Sequence, residues 1–222
     1  MANSTDPFAQ QVHGTNPQYL IEKITRLKII NCRYWKEACF GLTSELIIDK
    51  AIALKYIGGS YGGQNHPTDF LCLVLKLLQL QPEKDIVLEF IHNEDFKYLR
   101  VLGAFYLRLV GRPEEIYQYL EPLYKDYRKI AYRQSSGWAV KHVDEIIDAL
   151  LNDELVCDIA LPHLPKRIKL EQLGVLGERS SILDGEIMDM AYQQKLAEKQ
   201  AQQQAAMQAV LNEEVPNPTI LS

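Results

Sequence analysis

HPTDFLCLVLKLLQLQPEKDIVLEFIHNEDFKYLR, residues 66–100, decides the fold. Phe70, Leu71, Leu73, Val74, Leu75, Leu77, Leu78 and Leu80 circle the helical wheel, so a helix made of them has no side to show to water. It has to lie at the centre of a core, enclosed by other helices. Lys76 and Gln79 interrupt the run and Pro82 closes it, short of the roughly 20 apolar residues that a membrane span needs.

Working outward, helix punctuation recurs from Asn16 to about Leu161. Asn16 caps a helix with Pro17 at its first position, and Leu20, Ile21, Ile24 and Leu27 form its apolar stripe. Thr43 or Ser44 opens the next, with Leu46, Ile47, Ala51 and Leu54 turned inward and a stop at Gly58. Further helices begin at Pro67 or Thr68, at Pro82, at Asn93 (ending at Gly111) and at Pro113. Pro122 lacks a backbone N–H and breaks or kinks EEIYQYLEPLYKDYRK. After the turn QSSG, HVDEIIDALL reads as another amphipathic helix, whereas residues 156–173 read as irregular because of Pro162 and Pro165. Ile and Val recur at three-and-four spacing rather than in alternation, which favours helix over strand.

The expected fold class is therefore all-α. A flexible N-terminus (1–12) precedes a compact multi-helix domain (13–177), and an Ala/Gln-rich helical extension and tail (178–222) follows. Within that tail, residues 191–210 have strong helix propensity but few bulky apolar groups, and no apolar heptad persists long enough for a coiled coil.

Composition narrows the function classes. The chain of 222 residues carries a net charge of −5, with 17 Lys+Arg against 15 Asp+Glu in residues 1–133 and 7 against 14 in residues 134–222, or +2 and then −7. A dedicated nucleic-acid binder concentrates positive charge, so RNA contact would have to be local. Cys32, Cys39, Cys72 and Cys157 never reach a C-x-x-C spacing, and neither zinc nor a disulfide is expected. MANSTDPFAQQVHG does not read as a secretory signal, which sets the expectation of an intracellular, reducing compartment.

Catalytic chemistry has no foothold. The five histidines are dispersed, no Ser lies in a G-x-S-x-G elbow, and acidic pairs such as Asp144 and Glu145 point to different helix faces. Neither catalytic residues nor a metal nor a cofactor is expected. The loop GGSYGGQNHP could in principle cradle a phosphate, but no G-K-S/T follows and no strand precedes it, so nucleotide binding is not expected. Its Gly58, Gly59, Gly62 and Gly63 instead hold out Tyr61 without covering it. Tyr56 closes a helix whose other side is apolar, and these six residues make a candidate partner surface. A second candidate is YKDYRKIAYR: on a helix, Lys125, Arg128, Lys129 and Tyr132 share one face, suited to an acidic partner or RNA, while Leu120, Leu123, Tyr127 and Ile130 share the core face. Lys166, Arg167 and Lys169 form a further short basic cluster. For Trp35 and the tyrosines of EEIYQYLEPLY, core packing is the simpler role.

Six blocks occur together and in order: HGTNPQYLIEKI (13–24), YWKEACFGLTSELIIDKA (34–51), GGSYGG (58–63), FLCLVLKLLQLQPEKDI (70–86), EFIHNEDFKYLR (89–100) and YLEPLYKDYRK (119–129). With them the chain resembles the pre-mRNA-splicing factor 38 family over residues 13–172. The resemblance implies a non-enzymatic, all-helical spliceosomal subunit in the nucleus, associated with the tri-snRNP and required for spliceosome activation. It further implies a landing platform for helical segments of a zinc-finger tri-snRNP protein and of a protein related to microfibrillar-associated protein 1. RNA contact would arise only within the assembled particle, and no membrane is involved. Animal members continue into an Arg/Ser-rich tail; the Ala/Gln-rich ending here sets the expectation of a fungal-type or truncated member. The rival function is a direct RNA-binding module using the basic helical face.

Overall fold

Thr68 opens the central helix. Its hydroxyl accepts the Leu71 amide at 3.3 Å and donates to the Gly58 carbonyl at 2.7 Å, so the cap also ties the helix to the preceding glycine loop. Gln81, at φ +47°, turns the chain out at the other end. The computed structural model of the protein describes residues 3–7, 9–179, 181, 187–195 and 198.

The helices are α1 (Lys23–Asn31), α2 (Leu46–Ile52), α3 (Asp69–Leu80), α4 (Lys84–His92), α5 (Lys97–Val110), α6 (Pro113–Leu120), α7 (Val143–Asn152) and α8 (Arg167–Gln172). Tight 3-10 turns cover Pro17–Leu20 and Glu121–Lys125, and a π-turn covers Trp35–Cys39. As the wheel demanded, every residue from Phe70 to Gln79 of α3 is buried. Its neighbours are α1, α2 and α5, with Phe70 meeting Phe105 edge-on at 5.5 Å. Antiparallel α4 and α5 pack closely where Gly103 has no side chain; a Cβ there would lie 2.8 Å from Cβ of Phe90. The two buried polar residues of α3, Lys76 and Gln79, are accommodated by hydrogen bonds. Lys76 Nζ donates to Gln79 Oε1 at 3.0 Å, Gln79 Nε2 donates to the Ser4 carbonyl at 2.7 Å, and burial lowers the pKa of Lys76. The N-terminal stretch is held further by Trp35 Nε1, which donates to Asn3 Oδ1 at 3.0 Å, and by Gln18 Nε2, which donates to Thr5 Oγ1 at 2.8 Å.

The expectation of an all-α fold is overturned by three small sheets among the described residues, which make this a mixed α/β fold. The strands are β1 (Ile57–Gly58), β2 (Ser60–Tyr61), β3 (His66–Pro67), β4 (Lys129–Gln134), β5 (Gly137–His142), β6 (Leu155–Val156) and β7 (Ile159–Ala160). β4 stands between parallel β1 and antiparallel β5, while β2 pairs with β3 and β6 with β7. The reason lies in local chemistry. Pro122 allows only a 3-10 turn, Asp126 ends it, and the following KIAYRQSSGWAVKH alternates in period two around a Ser135–Ser136 turn. Residues 156–173, read as irregular, contain β7 and α8. Some apolar stripes were also misjudged. Ile24 is 67% exposed, Leu27 50%, Leu46 50% and Tyr127 57%, although all four were expected inside.

The chain divides into two compact units, Met1–Gly177 and Glu178–Ser222. In the second, residues 187–195 are helical. The rest of the expected Ala/Gln-rich helix lies outside the described residues. Among the described residues no helix is long and apolar enough to cross a membrane.

A candidate partner-docking surface

Alternation along the β4–β5 hairpin puts Arg133 directly opposite Trp138 on one face of the sheet, with Val140 farther along the same face. Tyr56, just ahead of β1, meets the Trp138 ring edge-on at 5.1 Å. The Arg133 guanidinium lies 4.6 Å from the Trp138 ring centre and 5.1 Å from that of Tyr61. Tyr61 in turn leans on His66 at 6.0 Å. One continuous row results: Tyr56, Trp138, Arg133, Tyr61, His66. Trp138 is 61% exposed and Val140 68%, so the row offers apolar area beside a delocalised charge.

Both tyrosines chosen from the sequence thus belong to this row, but the four glycines divide into two kinds. Gly58 and Gly59 are buried and serve close packing. A Cβ on Gly58 would lie 2.1 Å from the Arg133 carbonyl oxygen, and one on Gly59 2.4 Å from the Asp158 carboxylate. Gly62 and Gly63 lie in the exposed turn between β2 and β3 with open space around them. Gly58→Ala is therefore expected to separate β1 from β4 and cost about 2–3 kcal/mol. Gly62→Ala, strained only by its φ of +72°, should cost about 1 kcal/mol. Urea denaturation of the two variants compares them directly; equal midpoints would remove the packing argument.

The loop is also ill suited to phosphate. The Ser60 amide already donates to Asp158 Oδ2 at 2.6 Å, so an anion of the chain itself occupies the place a phosphate would take, and its charge repels another. Among the described residues no group of three His, Cys, Asp or Glu could hold a metal ion.

The basic helical face expected at Lys125, Arg128, Lys129 and Tyr132 does not exist. Lys125 ends a 3-10 turn, and Lys129 and Tyr132, three apart in β4, point to opposite sides of the sheet. Arg128 is engaged in a knot around buried Asp126. Its Nε and Nη2 donate to the two Asp126 oxygens at 2.8 and 2.6 Å, and its Nη1 donates to the Glu94 carbonyl. Arg100 Nη1 completes the knot at 2.8 Å, while Arg100 Nε donates to the Asn93 carbonyl at 2.9 Å. Tyr132 packs inward under Lys141, with its hydroxyl near Cys157 Sγ at 3.7 Å. In the other short cluster, Arg167 pairs with Glu121 and Glu171. Trp35 is buried, and the Tyr117 hydroxyl donates to the Pro165 carbonyl at 3.0 Å, so both are structural. Sequence reasoning missed Trp138 and Arg133; the signal available was the period-two run GWAVKH after a Ser-Gly turn.

A model of the PRP38 family matches residues 10–174, taking in α1 to α8 and every strand described above. The chain belongs to the PRP38 family. It is 58% identical to pre-mRNA-splicing factor 38A of Xenopus tropicalis over 191 residues, covering 86% of this chain and 61% of the frog protein. It is 57% identical to pre-mRNA-splicing factor 38 of Arabidopsis thaliana over 185 residues, covering 83% of this chain and 52% of the plant protein. The chain thus matches about half to three fifths of the length of these PRP38-family relatives. Among solved structures it is similar to a chain in the crystal structure of the Snu23–Prp38–MFAP1(217–258) complex of Chaetomium thermophilum. The TM-score is 0.77 at 37% identity, covering 84% of this chain and 100% of that one.

Proposed function

We propose that this chain is a non-enzymatic scaffold subunit of the spliceosome, acting in the nucleus with the tri-snRNP and required for spliceosome activation. Its partners on this reading are a Snu23-like zinc-finger protein and an MFAP1-like protein, whose helical segments dock on preformed apolar surface. RNA is met only inside the assembled particle. The observation that carries the reading is the match over the full length of a chain solved together with Snu23 and MFAP1(217–258). The surface chemistry supports it: the aromatic row that includes Trp138, and a ridge on α1 where Ile24 and Leu27, three apart, share one exposed side. The rival reading, an RNA-binding helical face, loses its support with the face itself.

The test is calorimetric titration of the full chain with a peptide matching MFAP1(217–258) and, separately, with a Snu23-like protein. Saturable binding of either is expected; binding of neither overturns the reading. Truncation of interface aromatics typically costs about 2 kcal/mol or more, so Tyr56→Ala with Tyr61→Ala should weaken one partner roughly thirtyfold in a chain that still gives the parental circular dichroism. Parental affinity for both partners would move the docking site to the α1 ridge.

A further inference from the structure

Cys32 lies at the C-terminal end of α1 and Cys72 on α3, and their sulfurs stand 3.5 Å apart. The two thiols are unlike. Cys32 is half-buried, and its sulfur accepts the Trp35 amide at 3.4 Å; Cys72 is sealed in the core. All four cysteines are free thiols. A thiol on a partly exposed residue, held by an amide donor and with a second sulfur in van der Waals contact behind it, has the arrangement of an oxidisable thiol with its resolving partner.

We propose that Cys32 and Cys72 form a reversible redox pair, with Cys32 the peroxide-reactive thiol and Cys72 the thiol that resolves it into an intramolecular disulfide. The proposal is independent of partner docking. The Cys32 thiolate attacks one oxygen of hydrogen peroxide; the S–O bond forms, the O–O bond breaks, and hydroxide leaves, taking up a proton as water. The Cys72 sulfur then attacks the Cys32 sulfur, forming the S–S bond and breaking S–O, and the departing oxygen leaves as water with the Cys72 proton. Two thiols are oxidised by two electrons and one peroxide becomes two waters. A small thiol reductant reverses the bond by exchange.

The electrostatics agree with Cys32 as the thiol that meets peroxide. The hydrogen bond with Cys72 draws the Cys32 pKa down to about 6, with the Trp35 and Tyr34 amides helping, while burial and the Asp69 carboxylate oppose the shift. The same hydrogen bond, with burial, pushes the Cys72 pKa up, so Cys72 is not the thiol that meets peroxide, and its resolving attack rests on the 3.5 Å contact and on loss of its proton to the departing oxygen. Cys39, the other nearby thiol, is pushed up to about 12 by burial, which makes it a poor competitor. In a reducing compartment such a pair is transient, as a sensor requires.

The experiment treats the full chain with stoichiometric hydrogen peroxide, alkylates the remaining thiols after denaturation, and maps the peptides. The expected result is a mass lower by about 2 Da, a Cys32–Cys72 linked peptide, alkylation confined to Cys39 and Cys157, and full recovery with dithiothreitol. In Cys72→Ser, or Cys72→Ala if the serine is not tolerated in the core, Cys32 should stop at the sulfenic acid and be trapped by dimedone. Four alkylatable thiols after treatment, a bridge involving Cys39, or disulfides only between molecules would each overturn the proposal. The parent map decides this without relying on any variant.

Discussion

Leu75→Asp is expected to leave no folded domain. Leu75 is fully buried in the middle of α3, between the faces that α3 presents to its neighbouring helices. An unpaired carboxylate there loses its hydration with nothing to replace it, a penalty of several kcal/mol against a total stability of about 5–15 kcal/mol. Size alone does less damage: Leu75→Ala should cost about 2–5 kcal/mol and Leu75→Met under about 1.5 kcal/mol. The three variants separate charge, cavity and shape in one thermal-melting series. An unchanged midpoint for Leu75→Asp would show that α3 is not the centre of the core.

Removing the carboxylate of Asp126 should be nearly as severe. The Asp126 side chain is 5% exposed and that of Arg100 is 7% exposed, so Asp126→Ala strands a buried guanidinium. Breaking such a pair costs about 3–5 kcal/mol. It also unties the end of α4, the start of α5 and the entry to β4, which the knot holds together. Burial by itself would raise the Asp126 pKa, but the hydrogen bonds from Arg128 and Arg100 outweigh it and hold the carboxyl below its ordinary value of 3.8. Because the folded-state pKa lies below that of the unfolded chain, the stabilisation is fully present above the unfolded value. It is lost as pH falls through 3.8 and then through the folded pKa. Urea midpoints of parent and Asp126→Ala should therefore converge in strong acid and differ most near neutrality. A constant difference across that range would exclude the carboxylate as the cause.

The readings that held were those in which neighbouring residues voted together. Eight large apolar groups around α3 left one outcome, and the four-residue apolar spacing of α7 similarly fixed its buried face. The hairpin failed because Lys125, Arg128, Lys129 and Tyr132 satisfy a helical face on paper, whereas Pro122 and the Asp126 knot end helical structure before that face begins. Strands two residues long carry no period to detect, and the pairing of β1 depends on Tyr132 and Arg133, far along the chain. The candidate site was half legible for the same reason: Tyr56 and Tyr61 stand in one segment, while the ring and guanidinium that organise them arrive from another. The stripe at Ile24 and Leu27 was legible as apolar, but periodicity does not distinguish a face turned to the core from one left open.

The parallel pairing of Ile57 with Tyr132 also bears on when the proposed docking surface comes into being. Closing a loop between such distant positions is entropically late, while the α4–α5 hairpin and the 3-10 turn against α7 form from near neighbours. The aromatic row straddles that late closure, so a nascent or partly unfolded chain has its tyrosines but no row. On the proposed reading, a partner that reads the row would bind finished molecules only, and recruitment would act as a check on the completeness of folding.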